Sequence, residues 1–314
     1  MSERRVLITG AGGFVGRALA TGFADLGWDV IGLDRAFDEW PEDPRARRVI
    51  ADLEECVPDG VPEVDLVVHA AWVTTDPQAL GITLEEYRGR TLLPLATMLR
   101  FALVAGPADF VFLSSSGVFA PGDATEGLTD TQGPTGDSPY AKTKRDGEGM
   151  VAAALADDTG AVHVVRLGYL FGPHEVARPT RQGVSLVARW ITAARAGQPL
   201  EVRADDPVRD WTFAPDLARA LERVVEGPPA GRPVHLGSPC VMRDSQVAAL
   251  IAAEVPEAEI VTVPAGGPVK PPMVPSDIAA LRDFVWTDVP DGLRVLATAD
   301  VPDGFGLAGR ERSA

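Results

Sequence analysis

Few folds can accommodate residues 6–16, Val-Leu-Ile-Thr-Gly-Ala-Gly-Gly-Phe-Val-Gly. The apolar run Val6–Thr9 reads as a buried strand. It breaks into glycines and then into a helical pattern, Gly13–Leu26, with Phe14, Val15, Ala18, Leu19 and Phe23 on one face. Strand, glycine turn and helix are what a dinucleotide-binding loop needs. Gly10 can take the turn, Gly13 can let backbone N–H groups reach a pyrophosphate, and Gly16 can let helix and strand pack closely. The phosphates would sit at the positive end of the helix, beside Phe14 and Val15. The spacing is Gly10-x-x-Gly13-x-x-Gly16 with Gly12 extra, so it departs from G-x-G-x-x-G. A plain glycine turn in a strand–helix unit is the alternative for this stretch alone.

The rest of the first half keeps the same rhythm. Strands read at Asp29–Leu33, Arg48–Ala51, Asp65–Ala70, Phe110–Ser114 and Val162–Arg166, and helices at Leu84–Ala105 and Tyr140–Leu155. Such alternation predicts an α/β fold, a doubly wound Rossmann-type parallel sheet whose continuous apolar strands are covered on both faces. After Arg166 the texture changes to Gly, Pro, Arg and His. A helix reads at Val184–Ala196. Short elements follow at Leu200–Arg203, Pro215–Val225, Pro233–Leu236, Asp244–Glu254, Glu259–Val263 and Ser276–Phe284. The expected division is a dinucleotide-binding domain over 1–168 and a smaller, mainly substrate-binding lobe over 169–300 with crossings back to the first. A loose tail is expected over 301–314.

A formal charge of -16 over 314 residues argues against nucleic acid or an anionic membrane as partner. No apolar run is long enough to span a bilayer. Cys56 and Cys240 lie far apart, and His69, His163, His174 and His235 lack metal-ligand spacing, so no metal site is expected. Arg4-Arg5, an apolar stretch and Ala18-Leu19-Ala20 imitate an export signal. The glycines interrupt it and the helix continues past Ala20, which points to the cytoplasm.

Several residues fall where ligands bind in such sheets, beyond the carboxyl ends of strands. Asp34 ends the second strand about 18 residues after Gly16, near the usual place of the acid that bonds an adenosine ribose. A carboxylate there repels a 2′-phosphate and favours NAD over NADP; Arg35 pulls the other way. Asp52-Leu53 follows the third strand, toward the adenine edge. His69-Ala70-Ala71 ends the fourth with small residues on which a cofactor can lie. Ser114-Ser115-Ser116 closes the fifth, as ligand groups or as a loop start. Tyr140-Ala-Lys-Thr-Lys144 opens a helix with phenol and ammonium one turn apart. A neighbouring ammonium favours the phenolate, as a general acid/base near neutral pH requires. With three tyrosines and three lysines in the chain, this pairing is rarely accidental.

Together these positions resemble the extended short-chain dehydrogenase/reductase superfamily, in its NAD-dependent epimerase/dehydratase branch. The likeness runs from about residue 5 to about residue 298. It rests on Thr9-Gly10-x-x-Gly13-x-x-Gly16, Asp34, Asp52-Leu53, His69-Ala70-Ala71, Ser114-Ser115-Ser116-x-Val118-Phe119, Tyr140-x-x-x-Lys144, Arg166, Gly172-Pro173 and Arg209-Asp210. The resemblance implies that Tyr140 is the proton donor/acceptor and that Lys144 holds the nicotinamide ribose and tunes the phenol. Ser115 would bond the substrate oxygen, with Ser116 its rival for that role. It also implies a homodimer that pairs Leu84–Ala105 and Tyr140–Leu155 into a four-helix bundle.

The chain also departs from the family pattern. Arg166-Leu-Gly-Tyr169 stands where Arg-x-x-Asn is common, and Tyr169 fills part of the channel that the amide would leave to a nucleotide. Thr91 stands where many members carry Asn, and Phe119-Ala120 replaces Tyr-Gly. Arg209 matches a residue that grips a phosphate in sugar-nucleotide enzymes; on its chemistry alone it is equally a surface arginine paired with Asp210 or Asp216. His174, Arg178 and Arg181 lie in the variable loop and either read the substrate or face water. The expected function is an NAD-dependent oxidoreductase moving a hydride at a secondary alcohol or ketone of a small sugar or sugar-acid-like substrate. Alternatives are a nucleoside-diphosphate-sugar epimerase/dehydratase with tightly held NAD, and a non-catalytic NAD(P)-sensing protein.

Overall fold

The apolar runs of the first half assemble into one parallel sheet. In the computed structural model, which describes residues 4–106, 109–154, 161–255 and 258–298, the order of elements begins β1 (Arg5–Thr9), α1 (Phe14–Asp25), β2 (Asp29–Asp34), β3 (Ala46–Ile50), β4 (Leu66–His69), α2 (Pro77–Leu80), α3 (Leu84–Ala105). It continues with β5 (Asp109–Ser115), α4 (Pro139–Ala154), β6 (Ala161–Leu167), β7 (Tyr169–Phe171), α5 (Leu186–Arg195), β8 (Leu200–Arg203) and β9 (Val208–Phe213). The last elements are α6 (Leu217–Glu226), β10 (Val234–Leu236), β11 (Val241–Arg243), α7 (Asp244–Glu254), β12 (Ile260–Val263) and α8 (Val289–Thr298).

Among the described residues, seven strands pair in the order β10-β6-β5-β4-β1-β2-β3. Every pairing is parallel, with Val6 opposite both Val30 and Leu66. The order reverses at β1, so the crevice beyond its carboxyl end, between the β1 and β4 turns, is where such sheets take ligands. Both faces are covered. Leu19, Phe23, Val6, Ile8, Val111 and Leu221 fill one side; Leu7, Val67, Leu95, Met98, Phe110 and Phe112 fill the other. A capping box between Thr83 and Glu86 starts α3, and Gly106 in the left-handed conformation ends it.

The second half is interleaved with the first. α6 packs on α1, where Gly22 leaves room for Ala218, and β10 extends the main sheet beside β6. The remainder forms a small lobe. β11-β9-β7 make one sheet, β12 and β8 a parallel pair, and α5, α7 and α8 close a core of Phe171, Trp190, Trp211, Phe213, Val247 and Ile251.

The sequence reading finds neither β7, β9, β11 nor α8. β9 carries the buried charges Arg209 and Asp210 inside an otherwise apolar strand, which breaks the pattern. β7 and β11 are three residues each, and α8 contains Pro290 and Gly292, residues that ordinarily punctuate. The element expected at Ser276–Phe284 reduces to one 3-10 turn, Ala279–Leu281. Leu155, the expected end of the fourth helix, and the expected loose tail over 301–314 lie outside the described residues.

Candidate active site

Beyond the carboxyl ends of β1, β4 and β5 lies a cavity of about 420 Å³. It is lined by Gly10, Gly13, Phe14, Val15, Gly16, Asp34, Arg35, Asp52, Leu53, Ala70, Ala71, Ser114, Ser115, Tyr140, Lys144, Tyr169, Arg178 and Arg181, all singled out by the sequence. Gly10 has φ +66°, and a Cβ there would lie 2.7 Å from the Ala71 backbone; only glycine permits that crossing of the β1 and β4 turns. A Cβ on Gly16 would lie 2.2 Å from the Gly10 carbonyl oxygen, so α1 presses directly on the turn. Gly13 precedes the helix and offers no side-chain cap, which leaves the first N–H groups of α1 for an anion.

At the other end, the Asp34 carboxylate accepts from the N–H groups of Gly12 (2.9 Å) and Arg35 (2.7 Å). Burial raises its pKa, against the pull of those N–H groups and of Arg178. Gly12 itself does not line the cavity. It faces Asp34 and the Ala36 carbonyl, and its place is to set the carboxylate. The Arg35 guanidinium lies on Glu54 (3.0 Å) and Asp52 (3.7 Å), so carboxylates already compensate the charge that would favour NADP. A cradle too tight for any Cβ, an uncapped helix start and a carboxylate at the ribose end fit a dinucleotide without a 2′-phosphate.

The Ser138 hydroxyl accepts from Ala141 N–H at 3.1 Å and starts α4, with Pro139 in its first turn. Tyr140, half-buried, follows. Ser115 accepts from Gly117 N–H at 2.9 Å, and its hydroxyl is near enough to the Tyr140 phenol to pull the phenol's pKa down. A Cβ on Gly117 would lie 2.6 Å from the Tyr140 ring, so the 3-10 turn 116–118 is shaped around the phenol. Lys144, fully buried, donates to the Leu113 carbonyl at 2.7 Å. Burial draws its pKa down to about 7, opposed by the Glu148 charge. Ser114 donates to Glu148 at 2.6 Å, and Arg166 grips the same carboxylate twice, at 2.9 and 2.8 Å.

One expectation needs correcting. Burial raises the Tyr140 pKa above its usual 10; Ser115 and the Arg181 guanidinium pull it back, and the nearby lysine is not among the groups that do so. Desolvation outweighs the helical-turn neighbour, and the resting phenol is protonated.

The variable loop 172–185 straps over this cavity. The Thr180 carbonyl accepts from Thr74 and Thr75 N–H at 2.8 and 3.1 Å, and Gln182 N–H donates to Thr75 at 2.9 Å. Arg178 pairs with Asp38 at 2.8 Å across the mouth. Arg181 pairs with Glu175 and lies over the Phe14 ring. His174, expected either to read the substrate or to face water, is exposed and turned to Glu39 at 3.3 Å, and it lines neither cavity.

A second cavity, about 400 Å³, opens on the small-lobe side and shares Tyr169 with the first. Gly117, Ser138, Arg203, Arg209 and Lys270 contribute to its walls. Arg209 is not a surface residue paired with Asp210 or Asp216. It is buried, bidentate on Asp244 at 2.7 and 3.0 Å, and bonded to the Tyr169 hydroxyl. Ser116 is buried and lines neither cavity; its carbonyl accepts from Lys270 at 2.8 Å. Asp210 accepts from the N–H groups of Tyr169 and Met273. Lys270, Asp244, Glu148 and Trp72 escaped the sequence reading, because nothing in their local spacing marks them.

A profile of the NAD dependent epimerase/dehydratase family matches residues 6–237. The chain belongs to this family. Relatives include a dTDP-4-dehydrorhamnose reductase of Mycolicibacterium smegmatis, 28% identical over 227 residues, and a probable dTDP-4,6-dihydroxy-2-methyloxan-3-one 4-ketoreductase of Streptomyces antibioticus, 30% identical over 224. Each match covers 71% of this chain, but 61% of the first relative and 68% of the second. The family fold extends to a solved structure, MoeE5 in complex with UDP-glucuronic acid and NAD. It is 25% identical, has a TM-score of 0.76, and the match covers 93% of this chain and 97% of that one. Among the described residues no helix is long and apolar enough to cross a membrane.

Proposed function

We propose that this family member is an NAD-dependent oxidoreductase acting at a secondary alcohol or ketone of a sugar or sugar-acid-like substrate. The observation that carries the reading is the position of Tyr140. Its ring lines the first cavity and packs on Gly117, which lines the second, so the phenol stands at the seam between them. The first cavity holds NAD: Gly10, Gly13 and Gly16 with Phe14 and Val15 at the pyrophosphate, Asp34 at the adenosine ribose, Asp52 and Leu53 at the adenine, Ala70, Ala71 and Ser114 along the nicotinamide half, and Lys144 at its ribose. NAD supplies there the acceptor or donor of a hydride. Tyr140 gives or takes the proton at the reacting oxygen, and Ser115 hydrogen-bonds the same oxygen. A protonated resting phenol is poised as an acid for a ketone oxygen.

The substrate extends into the second cavity, where Lys270, which donates to the Ser116 carbonyl and pairs with no carboxylate among the described residues, favours one with an anionic group. Tyr169 borders both cavities, and Arg181 and Arg178 close the first from the strap. The strap also favours a second reading, a nucleoside-diphosphate-sugar epimerase/dehydratase. A loop fastened at Thr74, Thr75 and Asp38 hinders cofactor release, as an enzyme that regenerates NAD in place requires. Exposed Leu84 and Leu93 on α3 support a homodimer through α3 and α4, and free Cys56 and Cys240 suit the cytoplasm.

The test is incubation with NAD and, in turn, UDP-glucose, UDP-glucuronic acid, dTDP-glucose and the free sugar acid, following NADH absorbance and product stereochemistry. NADH rising in step with substrate loss is expected. A new epimer or dehydrated sugar without NADH selects the second reading. No conversion, together with no thermal stabilisation by any of these ligands, overturns both.

A further inference from the structure

Lys144 is held by more than its helix. Trp72, just past β4, places its indole face against the ammonium, with Nζ 3.9 Å from the ring centroid. The Phe112 ring lies 5.0 Å from the same nitrogen and packs edge-on against Trp72. α4 leaves the gap that this indole fills: a Cβ on Gly147 would lie 2.8 Å from the Phe112 ring and 3.1 Å from the indole.

The charged and titratable groups around Nζ do not supply a direct counter-ion. Glu148, one turn along α4, acts as a charge at a distance, its oxygens taken by Arg166 of β6 and Ser114 of β5. His69 of β4 is neutral: burial and the Lys144 charge draw its pKa down to about 3, and its Nδ1 faces Thr9 at 2.9 Å. Tyr140, on the same helix, is protonated. β5 gives only the Leu113 carbonyl. Beside the Leu113 carbonyl and the more distant Glu148 charge, the ring face favours the cation, and among side chains tryptophan offers the strongest. The indole N–H is buried with no hydrogen-bond partner among the described residues. Within the protein the indole therefore contributes to this site through its ring face.

We propose that Trp72 is a positioning residue for Lys144: its indole face supports the ammonium form and fixes Nζ at the floor of the cofactor cavity, shut off from water. The ring–ammonium pairing stands on this geometry alone; its consequence for turnover rests on the roles of Tyr140 and Lys144 given above.

The chain has three lysines, 142, 144 and 270, so full-length protein labelled with 13Cε-lysine gives a spectrum assignable with Lys142→Arg and Lys270→Arg variants. In the wild type the Lys144 ε-protons lie upfield of the other two through the indole ring current, and the resonance titrates near 7. Trp72→Leu keeps the site apolar and lowers that midpoint by roughly one pH unit; Trp72→Phe lowers it by about half as much or less. The alkaline limb of turnover moves down with it in Trp72→Leu and is largely restored in Trp72→Phe. A shifted midpoint with an unmoved turnover profile would leave the pairing intact and refute the catalytic reading. A wild-type Lys144 signal without upfield displacement, or a Trp72→Leu midpoint that is unchanged or higher, overturns the proposal. Should Trp72→Leu not fold, the wild-type shift and Trp72→Phe decide.

Discussion

The two cavities are built by opposite means. The first takes its walls from backbone and small side chains within a few residues of a strand end: the Gly10–Gly16 turn, Ala70-Ala71, Ser114-Ser115. The second takes its walls from residues far apart in sequence whose charges are largely answered, as Arg209 is by Asp244, 35 residues away. A dinucleotide is constant, so a local and repeatable turn suffices for it. A substrate varies, and its side is made of long-range pairings that can be rearranged without disturbing the sheet. Tyr140 stands where the two meet, and it tests the comparison most severely. Tyr140→Phe is expected to lower kcat about 10²–10⁴-fold, while thermal stabilisation by NAD is unchanged, because the ring stays and only the proton-bearing oxygen goes. Full turnover on an identified substrate would sever the chemistry from the seam.

A smaller effect separates lock from ligand on the second side. The Arg209 and Asp244 side chains are 7% and 2% exposed, so removing one partner leaves a buried, uncompensated charge. Asp244→Ala is expected to cost about 3 kcal/mol, seen as a melting temperature roughly 5–10 °C lower, without loss of NAD affinity. If stability holds and NAD affinity falls instead, the two cavities are not independent.

The same contrast explains what could be read from the chain. The glycine turn, Asp34 and the Tyr140/Lys144 pair are legible because each uses one strand end or one helical turn, and periodicity reports both. β9 was not, because Arg209 and Asp210 sit inside a buried strand, where their partners Asp244, Tyr169 and Met273 come from three other segments. Local spacing carries no trace of such partners. It also overrated the reach of Lys144 toward the phenol, since desolvation depends on everything packed around a group and not on its neighbour along the helix.

The least drastic change addresses the ribose end of the first cavity. Asp34 is a carboxyl whose pKa the fold raises above the ordinary 3.8, chiefly through burial. The folded state therefore holds that proton more tightly than the unfolded chain. This favours folding below about pH 3.8 and is lost as pH rises through the folded pKa, beyond which the buried carboxylate is a burden. Asp34→Asn has no such dependence, so its stability relative to wild type should improve between about pH 3 and pH 7 in urea unfolding. NAD affinity should fall about tenfold, as expected for one hydrogen bond to a charged group, with NADP gaining on NAD. Equal NAD affinity in the variant would mean that the carboxylate serves only the Gly12 and Arg35 N–H groups, shaping the turn without touching a ribose.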